Sequence, residues 1–135
     1  MKNHAAIILK NKDKILFVQR SATKKSLPNI WAFPSGTMEE GESPEKTVER
    51  ESIEELGIRV EVEQILATAE LPELDAKLYF VVCLSKDGEP KKIDPNEIQA
   101  IRWMTFNEFF NEYSDDQIGH GLIYLRKHPE IWEKV

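Results

Sequence analysis

The sequence predicts an α/β protein in which a mixed β-sheet is flanked by helices. Runs of β-branched and other apolar residues precede, separate and follow stretches with helical spacing. These runs do not follow the regular strand, helix, strand order of a doubly wound parallel sheet. A sheet of mixed strand directions, with helices packed against it, accounts better for this order of elements.

The chain is expected to form a single domain over residues 1–135. Its 135 residues suffice to bury one hydrophobic core, and a composition of 41% apolar and 31% charged residues is that of an ordinary globular protein. Neither an internal repeat nor a shift in composition marks a domain boundary.

The first elements are predicted to be two strands that form a hairpin. The apolar runs 4–10 and 14–19 are joined by the polar turn "NKD". A loop over residues 21–29 then leads to "IWAFPSG", in which the proline and the glycine indicate a turn out of a short extended piece.

A capped helix is predicted next, over residues 44–56. Ser43 is a suitable N-cap, and Pro44 suits the first helical turn. Glu45 favours the positive end of the helix dipole, and Gly57 can end the helix in the left-handed conformation.

The second half of the chain predicts three strands followed by two helices. Apolar and β-branched residues indicate strands within 59–69, 76–84 and 97–104. Apolar residues at helical spacing indicate helices over 105–113 and about 115–128.

Charge and hydropathy exclude several classes of function. The net charge of −6 opposes non-specific binding to nucleic acid, which depends on lysines and arginines. The longest apolar runs are far shorter than the ~20 residues that span a bilayer, and the N-terminus lacks the pattern of a secretory signal. We therefore expect a cytoplasmic protein without a membrane segment. Five lysines near the N-terminus are interpreted as ordinary solvated surface: Lys10, Lys12, Lys14, Lys24 and Lys25.

Residues 36–58 contain eight glutamates, three of which share one face of the predicted helix. Glu51, Glu54 and Glu55 stand at i, i+3 and i+4, so their carboxylates repel one another unless a cation neutralises them. Hard carboxylate oxygens suit Mg²⁺ or Mn²⁺ better than zinc. Three glutamates on a helix are more often a solvated face, but Arg50 can pair with Glu54, and the turn at Gly36 can offer backbone carbonyls as extra ligands.

The spacing of these residues resembles the Nudix box of the Nudix hydrolases. Gly36 is followed after five residues by Glu42, after seven more by "RE", after two more by "EE", and after one more by Gly57 and Ile58. All fixed charged and glycine positions of the pattern are present. Ser52, where the family carries an apolar residue, and Ser35, where many members carry glycine, depart from it. The resemblance implies one Nudix domain with an α/β/α sandwich fold.

The resemblance also implies roles for individual residues. Glu51, Glu54 and Glu55 would bind divalent cations, with Gly36 shaping the loop on the metal side. Arg50 and Glu42 would organise the loop and helix, and Gly57 completes the motif. A further acidic ligand is expected shortly before Trp103, for which Glu97 is the candidate. Both Glu51 and Glu97 remain candidates for the general base.

The activity that the resemblance implies is Mg²⁺-dependent hydrolysis, with Mn²⁺ as a substitute, of a nucleoside diphosphate linked to a group X. The lead-in to the box resembles the MutT-type branch, whose substrates are nucleoside triphosphates, oxidised ones included, cleaved to a nucleoside monophosphate and pyrophosphate. The enzymatic alternative is hydrolysis of another substrate: ADP-ribose, a dinucleoside polyphosphate or capped RNA. Pro72 gives slight support to ADP-ribose. A non-catalytic nucleotide-sensing module is the alternative of another class.

The substrate is thus expected to be a small nucleotide, and the protein a monomer or homodimer. Three aromatic residues are candidates for stacking on the base, although aromatic side chains in apolar runs more often belong to the core: Trp31, Phe33 and Phe80. His120, between two glycines, is a candidate for the border of the pocket.

Overall fold

The computed structural model describes residues 1–91 and 93–135, in which strands and helices alternate irregularly. The strands are β1 (Lys2–Asn11), β2 (Lys14–Arg20), β3 (Trp31–Ala32), β4 (Ser35–Thr37), β5 (Val60–Leu71), β6 (Ala76–Ser85) and β7 (Ile98–Met104). The α-helices are α1 (Pro44–Glu51), α2 (Phe106–Glu112), α3 (His120–Arg126) and α4 (Pro129–Trp132). No helix in this described part of the chain is long and apolar enough to span a bilayer.

The strands form one mixed sheet with β1 at its centre. β1 runs parallel to β6, from the pair Lys2 and Ala76 to the pair Leu9 and Cys83, and antiparallel to β2 and β4. β5 extends the sheet beyond β6, and β7 pairs with β2. The predicted hairpin is present, but its strands separate soon after the turn, and nearer its start β1 pairs with β4 on the edge opposite β6.

Helices cover both faces of this sheet, which confirms the predicted class and the α/β/α sandwich. Along β1, Ala5 and Ile7 pack in a cluster with Val48 of α1, whereas Ala6 and Ile8 pack in a second cluster with the C-terminal helices. Because both faces are buried, β1 carries a continuous apolar run where a half-exposed strand would alternate.

The predicted helix over 44–56 is present, and its second part is wider than an α-helix. The Ser43 side chain accepts a hydrogen bond from Lys46 N at 3.1 Å, as an N-cap should. After Glu51 the chain continues as a π-helical turn over Ser52–Leu56. Gly57 ends it at φ 66°, the left-handed conformation that glycine adopts without steric cost.

The prediction of one helix over about 115–128 is wrong. Asp115–Gln117 form a 3₁₀ turn, and Ile118 is extended and forms a bridge with Trp31. Gly119 then donates its N–H to Trp31 O at 2.9 Å, so α3 begins only at His120. The apolar spacing is helical, but this pairing with β3 occupies the backbone where the helix would have begun.

Phe109→Ala should strongly destabilise the fold. Phe109 of α2 is fully buried, with its ring stacked on that of Phe17 at a centroid distance of 3.9 Å. Its truncation leaves a cavity beneath the sheet, and we expect a loss of ~3–5 kcal/mol in the free energy of unfolding, measured by urea denaturation. The neighbouring Phe110, which is only partly buried, is the control, and Phe110→Ala should cost clearly less. Equal losses for the two variants would contradict this description of the core.

Candidate functional site

An acidic cavity of about 340 Å³ lies beside the C-terminal part of α1 and the π-helical turn. Ser35 and Gly36 of β4 form part of its wall. Its acidic lining residues are Glu51, Glu54, Glu55, Asp94 and Glu97. The cavity is therefore lined by a large excess of negative charge in a protein whose net charge is −6.

The structure brings together most of the site residues that the sequence singles out. Glu51, Glu54 and Glu55 line the same cavity, as their helical spacing predicts, and Glu97 faces it from the segment before β7. Gly36 approaches α1 so closely that a Cβ atom there would lie 2.2 Å from Cδ of Glu51. A side chain at position 36 would therefore displace this carboxylate.

Arg50 binds several of these acidic groups at once. Its Nε and Nη2 donate to the two carboxylate oxygens of Glu42, each at 2.9 Å. Its Nη1 donates to Glu51 at 2.7 Å and to Glu54 at 3.3 Å, and Nη2 also donates to Thr37 O at 3.1 Å. A planar guanidinium with five donors can make such contacts in one orientation, which a lysine cannot.

Glu42 connects the loop before α1 to the helix. Besides the two bonds from Arg50, it accepts hydrogen bonds from Thr47 Oγ1 at 2.6 Å and from Glu39 N at 3.0 Å. These donors, with Arg50 first, lower the pKa of Glu42 to about 2. Glu42 is thus an ionised brace of the loop and is directed toward Arg50.

The electrostatic environment of Glu55 is the opposite of that of Glu42 and disfavours the ionised form. Its Oε2 is buried and has no hydrogen-bond partner in residues 1–91 and 93–135. Burial, followed by the negative charges of Glu51, Glu97 and Glu54, raises the pKa of Glu55 to about 8. Burial also raises the pKa of Glu51, although Arg50 opposes this effect. The raised pKa means that Glu55 retains its proton near neutral pH, and a cation in the cavity would stabilise its ionised form instead.

Three of the acidic side chains of the cavity are paired with basic partners in the structure: Glu51, Glu54 and Glu97. Within the described residues, no three histidine, cysteine or acidic side chains are arranged as a ready set of metal ligands. Arg50 draws Glu51 and Glu54 toward itself, and Lys24 Nζ lies 2.8 Å from Glu97 Oε2. Binding of a cation would therefore require some of these contacts to be exchanged.

The sequence pattern does not signal two residues at the site, a lysine paired with a lining carboxylate and one acidic lining residue. Lys24, interpreted as solvated surface, is instead paired with Glu97, and that interpretation is wrong for this lysine. Asp94 lines the cavity and accepts a hydrogen bond from Asn96 N at 2.9 Å in a turn before β7. The "DPN" turn signals its local role, but no sequence signal indicates that it faces the helix glutamates.

A second, more apolar cavity of about 140 Å³ adjoins the acidic one, and Ser35 lines both. Phe33 and His120 form part of its wall. Trp31, Phe33 and Phe80, the three aromatic candidates for base stacking, all belong to the hydrophobic core, with exposed fractions of 8%, 6% and 0%. Phe33 is the one of the three that also lines this cavity.

The departure at Ser52 lies on the buried face of the helix, as expected. Val48, Ser52 and Leu56 are all 0% exposed. Ser52 Oγ has no hydrogen-bond partner among the described residues, which is unfavourable for a buried hydroxyl. The substitution affects packing of the helix on the sheet and removes no carboxylate from the cavity.

The chain is similar in sequence to known Nudix hydrolases. Nudix hydrolase 2 of Arabidopsis thaliana is 30% identical over 110 residues, which are 79% of this chain but 40% of the relative. The chain thus spans about two fifths of that plant protein's length. The 8-oxo-dGTP diphosphatase of Escherichia coli (strain K12) is 30% identical over 106 residues, 76% of this chain and 82% of the relative.

The fold and the sequence pattern place the chain in one family. The MutT protein from Methanosarcina mazei Go1 superposes with a TM-score of 0.74 at 20% identity, over 98% of this chain and 93% of that structure. A family model described as the NUDIX domain matches residues 2–124. The chain therefore belongs to the NUDIX family, as the pattern over residues 36–58 predicts.

Proposed function

We propose that the chain is a Mg²⁺-dependent pyrophosphohydrolase that cleaves a nucleoside diphosphate linked to a group X. The observation that carries this proposal is Glu55, a buried carboxyl with a pKa raised to about 8 in a cavity lined by four further acidic residues. One of its oxygens has no hydrogen-bond partner within the part of the chain that the structure describes. Such crowding is costly in a folded protein, and a divalent cation is the ligand whose charge compensates it.

The donor set fits Mg²⁺, with Mn²⁺ as a substitute. Glu51, Glu54, Glu55 and Glu97 would hold the cations through carboxylate oxygens, and the Gly36 backbone lies beside Glu51. When bound, such a cation neutralises the charge of the pyrophosphate and makes the attacking water more acidic. This supplies the positive charge that an acidic protein needs in order to bind a polyanion.

The chain's own residues position the reacting groups. Arg50 fixes one oxygen each of Glu51 and Glu54, so the direction of their remaining oxygens is restricted. A carboxylate, for which Glu51 and Glu97 both remain candidates, accepts the proton of the water that attacks phosphorus. Water adds to one phosphorus as the bridging P–O bond breaks, which yields a nucleoside monophosphate and a phosphorylated X.

The adjoining apolar cavity would hold the nucleoside. It shares Ser35 with the acidic cavity, and its walls include Phe33, Leu78 and His120. A nucleotide can therefore place its base among apolar groups and its phosphates among the carboxylates. We assign a nucleoside triphosphate, oxidised ones included, as the substrate, and similarity to an 8-oxo-dGTP diphosphatase supports this choice.

Pro72, the residue that gave slight support to ADP-ribose as the substrate, is not among the residues that line either cavity. Pro72 begins an exposed 3₁₀ turn, Pro72–Leu74, that connects β5 to β6. ADP-ribose, a dinucleoside polyphosphate and capped RNA are therefore tested as alternative substrates in the screen described below. A non-catalytic nucleotide-sensing role is tested in the same screen.

Glu54→Gln should lower Mg²⁺-dependent hydrolysis by ~10²-fold or more, because a cation ligand that stabilises the transition state loses its charge. We would screen nucleoside triphosphates, 8-oxo-dGTP, ADP-ribose, diadenosine polyphosphates and capped RNA by chromatography of the nucleotide products, because ADP-ribose and diadenosine polyphosphates yield neither phosphate nor pyrophosphate. Glu49→Gln is the matched control, since Glu49 lies on the same helix and faces Lys46 at 3.6 Å.

The screen separates the proposals from one another. Wild type that hydrolyses none of these compounds, or an equally active Glu54→Gln variant, would remove the catalytic proposal and favour a sensing module. Cleavage of ADP-ribose with no pyrophosphate released from any triphosphate would show that the substrate assignment is wrong.

Glu55 should also give stability a characteristic pH dependence. Between its unfolded pKa of 4.5 and its folded pKa of about 8, the folded state binds a proton that the unfolded state has lost. Stability in EDTA should therefore fall as pH rises through this window, by up to ~1.4 kcal/mol per pH unit. Glu55→Gln should flatten the fall in urea denaturation at pH 5 to 8, whereas Glu49→Gln should retain it. Parallel profiles for wild type and Glu55→Gln would contradict the buried, uncompensated state of this carboxyl.

A further inference from the structure

A lysine ammonium group lies at the edge of the acidic cavity. Lys24, in the loop between β2 and β3, is paired with Glu97 at 2.8 Å. Its side chain is 26% exposed, whereas the neighbouring Lys25 is exposed. Because Glu97 lines the cavity with Glu55, this ammonium is a positive charge that belongs to the site itself.

The backbone of Lys24 is fixed beside Glu97. Lys24 N donates to Ser21 O at 3.1 Å, and Ser21 N donates to Glu97 O at 2.9 Å. Ser21 Oγ also lies 2.9 Å from Thr23 Oγ1. The start of the loop is therefore attached to the same segment that presents the Glu97 carboxylate.

The other end of the loop is fixed by Arg20. Its Nε donates to Leu27 O at 3.1 Å and its Nη2 donates to Ser26 O at 2.8 Å. Asn29 N donates to Arg20 O at 3.1 Å, so the loop closes on the strand it leaves. If the ammonium leaves Glu97, only the flexible side chain needs to move, and its charge stays at the cavity edge.

We propose that Lys24 is an exchangeable counter-ion of the site. It neutralises Glu97 until a divalent cation binds this carboxylate, and it then donates to a phosphate oxygen of the substrate. The inference rests on the proposed function, since it requires that Glu97 can bind a cation. An ammonium and a cation compete for the same carboxylate oxygen, and a lysine freed beside a pyrophosphate is a suitable donor to it.

The first half of the inference is tested without substrate. Mn²⁺ binding is measured by the loss of the free-ion electron paramagnetic resonance signal, in wild type, Lys24→Met and Lys25→Met. Removal of a partly exposed competing ion pair should tighten Mn²⁺ binding by about two- to fivefold in Lys24→Met. Lys25→Met removes the same charge one residue away and should bind as wild type does. Unchanged affinity in Lys24→Met, or equal tightening in both variants, would overturn the exchange.

The second half is tested by steady-state kinetics at saturating cation. Lys24→Met should raise KM for the nucleotide by about tenfold, because a charged hydrogen bond to phosphate is lost, with a smaller change in kcat. Lys24→Arg should restore most of the affinity, and an unchanged KM in Lys24→Met would overturn the phosphate contact. If wild type and Glu54→Gln both fail to bind Mn²⁺, the proposed function fails. If wild type binds Mn²⁺ and Lys24→Met binds it identically, only the present inference fails.

Discussion

The arrangement of the acidic cavity depends on one guanidinium group. Arg50 contacts both oxygens of Glu42, one oxygen of Glu51 and one of Glu54, and also the Thr37 carbonyl. Without a positive charge at this point, like charges on one helix face would repel one another and the preceding loop would lose its attachment to the helix. The contacts with Glu42 and Thr37 fix the loop, and those with Glu51 and Glu54 direct the cavity carboxylates.

The carboxyl groups of the site differ in how fully hydrogen-bond donors and positive charges offset their negative charge. This difference distinguishes a carboxylate with a structural role from one that is suited to bind a cation. Glu42 is fully engaged by donors, and its pKa is lowered to about 2. Glu55 has a buried oxygen that finds no hydrogen-bond partner among the described residues, and its pKa is raised to about 8. A carboxylate that is already satisfied braces the loop, whereas one that lacks compensation is poised to bind an added positive charge.

Local signals in the sequence predict the scaffold and the helix face well. The cap at Ser43, the left-handed Gly57 and the spacing of Glu51, Glu54 and Glu55 depend on neighbours within a few residues. The helix over 115–128 fails because Gly119 pairs with the distant Trp31 backbone. A periodic pattern records which side of a segment is apolar, but it cannot record competition for the segment's backbone.

The site is predictable only in part, for the same reason. The motif identifies the helix glutamates, but the pairing of Lys24 with Glu97 joins residues 73 positions apart and has no local signal. The approach of Asp94 to the helix glutamates likewise depends on the fold. Trp31 and Phe80 illustrate the converse, because aromatic residues near a motif serve the core as readily as a ligand.

The most direct test of the proposed function is a crystal structure of the protein with Mn²⁺ and a non-hydrolysable nucleoside triphosphate analogue. We expect anomalous difference density for Mn²⁺ between Glu51, Glu54, Glu55 and Glu97, with the base beside Phe33 in the adjoining cavity. Mn²⁺ bound away from these carboxylates, or a nucleotide bound in another part of the surface, would contradict it.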